Sequence, residues 1–274
     1  MRHGFTALLW AATVLALSFL VVPVAAIFLR VPPGELVSAL GSSVARDALR
    51  VTLVTTLVAQ VAILLVGTPA AYVIATRRFR GRTLLVTLVE LPLVLPPAVA
   101  GIGLLAAFGR FGLLGGTLSA FGLEIAFTRI AVVLAIVFVA GPFFLRTAIA
   151  AFEAVDTTLV DASRTLGAGP ARTFARIALP LAAGGLGAGA ALSFARGLGE
   201  FGATIMFAGS LQGVTQTLSL AVYEQFDVDF DTALAIGAEL VLASAVLLLA
   251  VKLIPSWRRS PQSFPTLSAR SLSS

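Results

Sequence analysis

No cysteine occurs in the 274 residues, so disulfides and thiolate metal sites are excluded. The single histidine, His3, sits next to the N-terminus, so no histidine-based metal centre or catalytic triad can be assembled from this chain alone. Charge is scarce as well. Only 12% of residues are Asp, Glu, Lys or Arg, about half the share of a soluble globular domain. What fills the chain instead is apolar: 58% of residues are hydrophobic and the mean hydropathy is +1.02. A helix that crosses a bilayer needs roughly 20 apolar residues. The length therefore accommodates about six crossings with their connections, and the reading is an all-α membrane protein with six transmembrane helices.

The net charge of +6 could suggest nucleic acid. A blander source is the collection of Lys and Arg in cytoplasmic loops of membrane proteins, because Arg77, Arg78, Arg80 and Arg82 directly follow a long apolar run. No nucleic-acid partner is expected. Residues 5 to 29 carry no charge and are too long for a signal-peptide core of about 7 to 15 residues, so they read as a retained first span. Further spans are expected at 49–75, 84–108, 130–149, 179–207 and 232–254. With the N-terminus inside, Arg2, Arg77 to Arg82, Arg146, Arg164, Arg172, Arg176, Lys252, Arg258, Arg259 and Arg270 are cytoplasmic. Only Arg30, Arg46, Arg50, Arg110 and Arg129 lie outside, a bias that favours both termini in the cytoplasm. Three parts follow: 1–46, a first helix and external segment; 47–254, the transmembrane unit; and 255–274, a Ser- and Arg-bearing tail expected to be disordered.

Within the third expected span, Leu91 to Pro97 contains Pro92, Pro96 and Pro97, which cannot form a regular helix. Irregular backbone at membrane depth must be covered by protein or line a watery cavity, so this break is expected to face the bundle interior. In the fifth span Arg196 and Glu200 are four residues apart on one helical face. They can serve as an ion pair locking the bundle or as a gate on a pathway, with Gly197, Gly199 and Gly202 allowing close approach at a dimer axis. Backbone amides freed at the Pro96–Pro97 break could supply uncharged hydrogen-bond donors.

Residues 151 to 178 form the longest polar interruption in the middle of the chain and still read as helical. Leu159, Ala162, Ser163 and Leu166 recur at helical spacing on one small, apolar face, while Asp161 and Arg164 point elsewhere. Gly167 suits a left-handed helix stop, and Pro170 suits the first position of a second helix, whose Phe174 and Ile177 can rest on the core. Such a helix can cover a loop, or offer a face to a partner's groove.

This loop resembles the Glu-Ala-Ala signature of membrane subunits of bacterial ATP-binding-cassette importers. Asp161-Ala162-Ser163 takes the place of the triplet, Gly167 follows after three residues, Ile177 after nine more, and Leu179-Pro180 closes the match. Asp161 and Ser163 are the departures; Ser163→Ala, a move toward the family pattern, is expected to be nearly silent. Leu91 to Pro97 with Gly101, and Arg196 to Thr204, are similar to segments of the molybdate permease branch, whose relatives carry sulfate and tungstate. The resemblance implies a MetI-like type I importer fold and a homodimer. It implies a coupling helix docked on a cytoplasmic ATPase dimer that binds ATP and magnesium, and an extracytoplasmic binding protein that delivers the oxyanion. It assigns coupling to Leu159, Asp161, Ala162, Ser163, Leu166, Gly167, Ile177, Leu179 and Pro180. Pathway or gate positions would be Pro96, Pro97, Arg196, Gly199, Glu200, Gly202 and Thr204. The chain has no phosphate-binding Gly-x-x-x-x-Gly-Lys-Ser/Thr loop, so it is not itself an ATPase, and no cofactor or metal is expected in it. An intramembrane enzyme lacks a nucleophile here. A secondary anion transporter, the remaining alternative, would show an internal repeat, and none is evident between the halves.

Overall fold

The computed structural model describes residues 2–32, 34, 36, 38 and 41–253. The tail at 255–274 lies outside them. Helices account for the regular structure among the described residues, with no strand. In chain order they are α1 (Arg2–Arg30), α2 (Ser43–Thr76), α3 (Arg82–Val94), α4 (Pro97–Phe108), α5 (Gly115–Ala120), α6 (Arg129–Glu153), α7 (Thr157–Thr165), α8 (Pro170–Thr173), α9 (Leu179–Leu198), α10 (Gly202–Ala208), α11 (Leu218–Phe226) and α12 (Phe230–Leu253). A π turn, Phe174–Ala178, fuses α8 to α9.

Five segments are long and apolar enough to cross a bilayer: Gly4–Arg30, Ser43–Thr76, Arg129–Glu153, Pro170–Leu198 and Phe230–Ala250. The expected span at 84–108 is not a straight crossing. It is the pair α3 and α4, bent by 116° at Leu95–Pro96. At 13 and 12 residues these helices are about 20 and 18 Å long, short of the roughly 30 Å hydrocarbon core. The bend has a local cause. A proline disfavours helical backbone at the residue before it, and Leu95 and Pro96 both precede prolines, with ψ of 134° and 131°. Pro97 then opens α4 at a position where a missing N–H costs nothing. Pro92, by contrast, stays inside α3.

The expected fifth span also divides. It stops at Leu198, and α10 begins only at Gly202. Helix α2 begins at Ser43, six residues earlier than expected. Ser42 caps it by accepting a hydrogen bond from the Ala45 amide at 3.1 Å, and Ala45 and Ala48 pack against Leu218, Ala221 and Ile236 of α11 and α12. The connection at 109–129 contains α5, and Glu224 lies in α11.

Helix α6 is the hub, packing on α2, α3, α4, α9 and α10. Its buried face interleaves small residues, Ala131, Ala135, Ala140, Gly141 and Ala148, with larger apolar ones, and the small positions let neighbouring backbones approach closely. One large knob, Phe144, is fully buried. A Cβ placed at Gly67 of α2 would lie 2.9 Å from its ring, and one at Gly189 of α9 3.3 Å from it, so glycine on both flanking helices makes the room. Helix α1 stands apart. It touches α12, and no residue of its apolar window is buried.

Candidate functional site: a projecting helix pair and two packed helix breaks

The polar interruption between α6 and α9 folds as a stiff projection. Asp156 caps α7, its Oδ1 accepting from the Thr158 amide at 2.9 Å and from the Thr158 hydroxyl at 2.7 Å. These donors hold the Asp156 carboxyl below its ordinary pKa. At the other end Gly167 takes φ +81°. Its amide donates to the Arg164 carbonyl at 2.9 Å, and the Ala168 amide donates to the Ser163 carbonyl at 3.1 Å, the paired bonds of a Schellman stop. Asp161 and Arg164 pair on the surface at 3.3 Å.

Leu159 and Leu166 are 48% and 89% exposed and Ala162 is exposed beside them. Ser163 departs from that face. Its hydroxyl turns back to the Thr173 hydroxyl at 3.0 Å, and Thr173 is buried. Ser163→Ala would strip a partner from a buried hydroxyl at the angle between α7 and α8, a contact that the spacing of the helix face does not reveal.

The rest of the projection is bolted to the bundle. Phe174 packs against Tyr72 of α2, ring centroids 4.8 Å apart, and against Phe152 of α6 at 6.2 Å. Arg82 forms an ion pair with Glu153 and donates from Nε to the Ile74 carbonyl at 2.8 Å, tying α2, α3 and α6 together at this end. Ile177, Leu179 and Pro180 fall on the π turn and its exit. Pro180 has no amide to donate, and the register is taken up by the Leu179 amide, which reaches the Phe174 carbonyl five residues back.

The second region is where the two breaks meet. A Cβ at Gly202 would lie 2.8 Å from Pro97 Cβ, and one at Gly101 of α4 would lie 2.6 Å from the Ala203 carbonyl oxygen. Glycine thus allows α4 and α10 to touch at their backbones. Arg196 Nη2 lies 2.7 Å from Glu200 Oε2, and Glu200 Oε1 accepts the Ala203 amide at 2.7 Å. Glu200 is 2% exposed. One carboxylate therefore joins the end of α9 to the start of α10 across the break. Thr204 is fully buried, its hydroxyl without a hydrogen-bond partner among the described residues.

Pro97, Arg196, Glu200, Gly202 and Thr204 are thus gathered at one joint. Pro96 and Pro97 are exposed in the single chain, so the break does not turn wholly inward as expected. Gly197 and Gly202 serve packing within the chain, against Ile136 and Pro97; only Gly199 has open space around it. Sequence reasoning missed the bridges that hold α9 in place. Ser193 donates to Gln60 Oε1 at 3.1 Å, and Gln60 Nε2 donates to the Ala190 carbonyl at 3.3 Å. Gln60 within an apolar run was the available signal. Glu90 of α3 lies 3.5 Å from Arg146 of α6. Glu239 of α12 is 6% exposed, and its Oε2 has no hydrogen-bond partner among the described residues.

Spans that break where they pack against each other, with a rigid helix pair carried at one end, make this a polytopic membrane transport component. The chain belongs to the family of binding-protein-dependent transport system inner membrane components, whose model matches residues 48–257. It is 42% identical over 233 residues to the molybdenum transport system permease protein ModB of Mycobacterium tuberculosis, covering 85% of this chain and 88% of that protein. It is 36% identical to the sulfate transport system permease protein CysT of Escherichia coli, with 76% of each chain covered. The fold matches a chain of a bacterial alginate ABC transporter solved with an alginate-bound periplasmic protein, at TM-score 0.73 and 16% identity, over 90% of this chain and 92% of that one. It also matches the MetNI methionine ABC transporter at TM-score 0.59 and 19% identity, over 76% and 93%. These likenesses place the chain in the type I ABC importer permease fold expected from the sequence.

Proposed function

We propose that this chain is the permease of an ATP-driven oxyanion importer, with molybdate as cargo. The observation that carries the substrate is the 42% identity to ModB across most of both chains. Sulfate is the second reading, favoured by the 36% identity to CysT; tungstate shares the chemistry of both. Two copies of residues 47–254 form the membrane unit, with residues 1–46 as an added helix and external segment. Both termini face the cytoplasm. A separate ATPase dimer binds ATP and magnesium, and an extracytoplasmic binding protein delivers the anion.

In this reading the exposed Leu159–Ala162–Leu166 face of α7 enters a groove on the ATPase. Asp161 stands at its edge, Ser163 and Gly167 set its angle, and Ile177, Leu179 and Pro180 pass motion into α9. The joint of Pro96, Pro97, Arg196, Gly199, Glu200, Gly202 and Thr204 is the moving part of the pathway. Support comes from its build, since discontinuous helices at membrane depth are where transporters place binding sites and gates. The pairing of Arg196 with Glu200 leaves the joint itself without net charge. The membrane subunit then needs only a weak, gated path, because tight selection can reside in the binding protein.

The test is ATP hydrolysis by the reconstituted complex with its binding protein. Molybdate should stimulate it at lower concentration than sulfate. Stimulation by sulfate alone would reassign the cargo, and uptake driven by an ion gradient without the ATPase would end the importer reading.

A further inference from the structure

Beside the α4–α10 joint, α4 and its connection to α6 line a half-open apolar cavity of about 610 Å³. Leu105, Phe108, Leu118, Ile125 and Phe127 form its walls. Among its lining residues Phe111 is 99% exposed and Leu123 51% exposed, so part of the apolar lining is covered by no other part of the chain. Two charged residues line it, Arg110 and Glu124. Both are exposed, and neither makes an ion pair or side-chain hydrogen bond among the described residues. Arg110 stands two residues after the apolar helix α4 and Glu124 five residues before the crossing helix α6, positions that suit charged groups at a membrane surface.

An opening of this size is within the range that holds a small amphiphilic ligand. An apolar hollow at the bilayer edge favours an acyl chain, and the rim supplies one cation and one anion unspent on each other. We propose that this cavity is a binding site for one zwitterionic phospholipid of the phosphatidylethanolamine type. An acyl chain lies among Leu105, Leu118 and Phe127, the phosphate pairs with Arg110, and the primary ammonium pairs with Glu124. A guanidinium meets a phosphate through two parallel hydrogen bonds, and an ammonium meets a carboxylate through charge-assisted ones. Arg110 alone would favour an anionic lipid; Glu124 reverses that preference.

Loop geometry helps hold the wall. Phe127 is the non-glycine residue with positive φ among the described residues, at +61°, and its amide donates to the Phe207 carbonyl at 3.3 Å. Its ring lies 3.2 Å from where a Cβ on Gly209 would be. The cavity wall and the C-terminal end of α10 therefore share a residue.

The experiment is native mass spectrometry of the full-length permease, delipidated in detergent and returned to palmitoyl-oleoyl phosphatidylethanolamine or phosphatidylglycerol. The wild type should retain the ethanolamine lipid about tenfold better, the size expected when one charge-assisted pair forms and one repulsion is avoided. Glu124→Gln should bring that ratio close to one, Arg110→Gln should lower retention of both lipids, and Ala106→Trp, which fills the cavity, should displace both. Glu124 is exposed, so its replacement tests the idea without threatening the fold. Equal or better retention of phosphatidylglycerol by the wild type would overturn the proposal, as would a ratio unmoved by Glu124→Gln. A second copy of the chain filling the cavity would overturn it too: Ser119→Cys would then be protected from thiol reagents in delipidated dimer. The readout is lipid retention, so failure here leaves the importer reading standing.

Discussion

Gly167 and Ser163 show how much a single position decides in the projecting helix pair. At φ +81° a branched side chain is disfavoured by about 1 to 2 kcal/mol, while the space around Gly167 is open. Gly167→Val should therefore leave the bundle folded and weaken co-purification of the ATPase, with oxyanion uptake lost. Retention of the ATPase together with normal uptake would refute its role at the joint. Ser163→Ala should cost about 1 kcal/mol, because the buried Thr173 hydroxyl loses its partner. Thr173→Val should reproduce the loss, and the double variant should be no worse than either single one. Additive losses in that cycle would show that the two hydroxyls do not act as a pair. At the other joint, Arg196→Gln or Glu200→Gln alone leaves a charge unpaired at a cost of about 3 to 5 kcal/mol. The amount of folded protein should fall in each and recover in the double replacement. If expression holds in all three while transport falls, the pair belongs to the pathway instead of the scaffold.

At the scale of elements, α7 is a nine-residue helix held by its two ends. An isolated helix of that length is unstable in water, so the Asp156 cap and the Gly167 stop carry much of its order. The Thr158 hydroxyl and amide lower the Asp156 pKa below its ordinary value of 3.8. A depressed carboxylate contributes stability that is complete above its unfolded pKa and is lost as pH falls through the folded one. Helix α7 should thus be unchanged from neutral pH to about pH 5 and loosen only below about pH 4. A fluorophore on Ala168→Cys would report this as a rise in mobility. Asp156→Asn keeps a capping oxygen without a titrating charge and should abolish the transition. Loosening of the wild type between pH 5 and 7 would contradict the cap assignment.

Across the whole molecule, α6 organises the bundle through small residues and one large knob. Phe144→Ala removes a buried ring between two glycines, which in soluble cores costs about 3 to 5 kcal/mol. The melting temperature of the purified permease should drop by several degrees. Leu65→Ala, at an exposed position of α2, should leave it unchanged. A Phe144→Ala protein as stable as the wild type would mean that lipid or the second copy fills the gap. Topology is testable because the chain has no native cysteine. Cysteines at Arg80 and Thr165 should be silent to an impermeant reagent applied to intact cells, and one at Phe121 should react; labelling of the first two from outside would invert the arrangement.

Hydropathy alone set the class of protein and the placing of four of its crossings, because burying backbone in lipid requires long apolar helices whatever the tertiary packing. The left-handed stop at Gly167 and the break among the prolines at 96 and 97 were legible for the same reason: both are local steric demands of the residue types. Contacts between distant segments were not. That the span at 84–108 bends by 116°, that Glu200 closes a second break by reaching the Ala203 amide, and that Ser163 turns away from its own helix face toward Thr173 depend on which helix lies alongside. Periodicity says which residues share a face; only packing decides what that face meets. By sequence the glycines at 197 and 202 suit close approach to a second copy, yet they are used up against Ile136 and Pro97 of the same chain, since close approach of two backbones requires glycine whether they belong to one protomer or two.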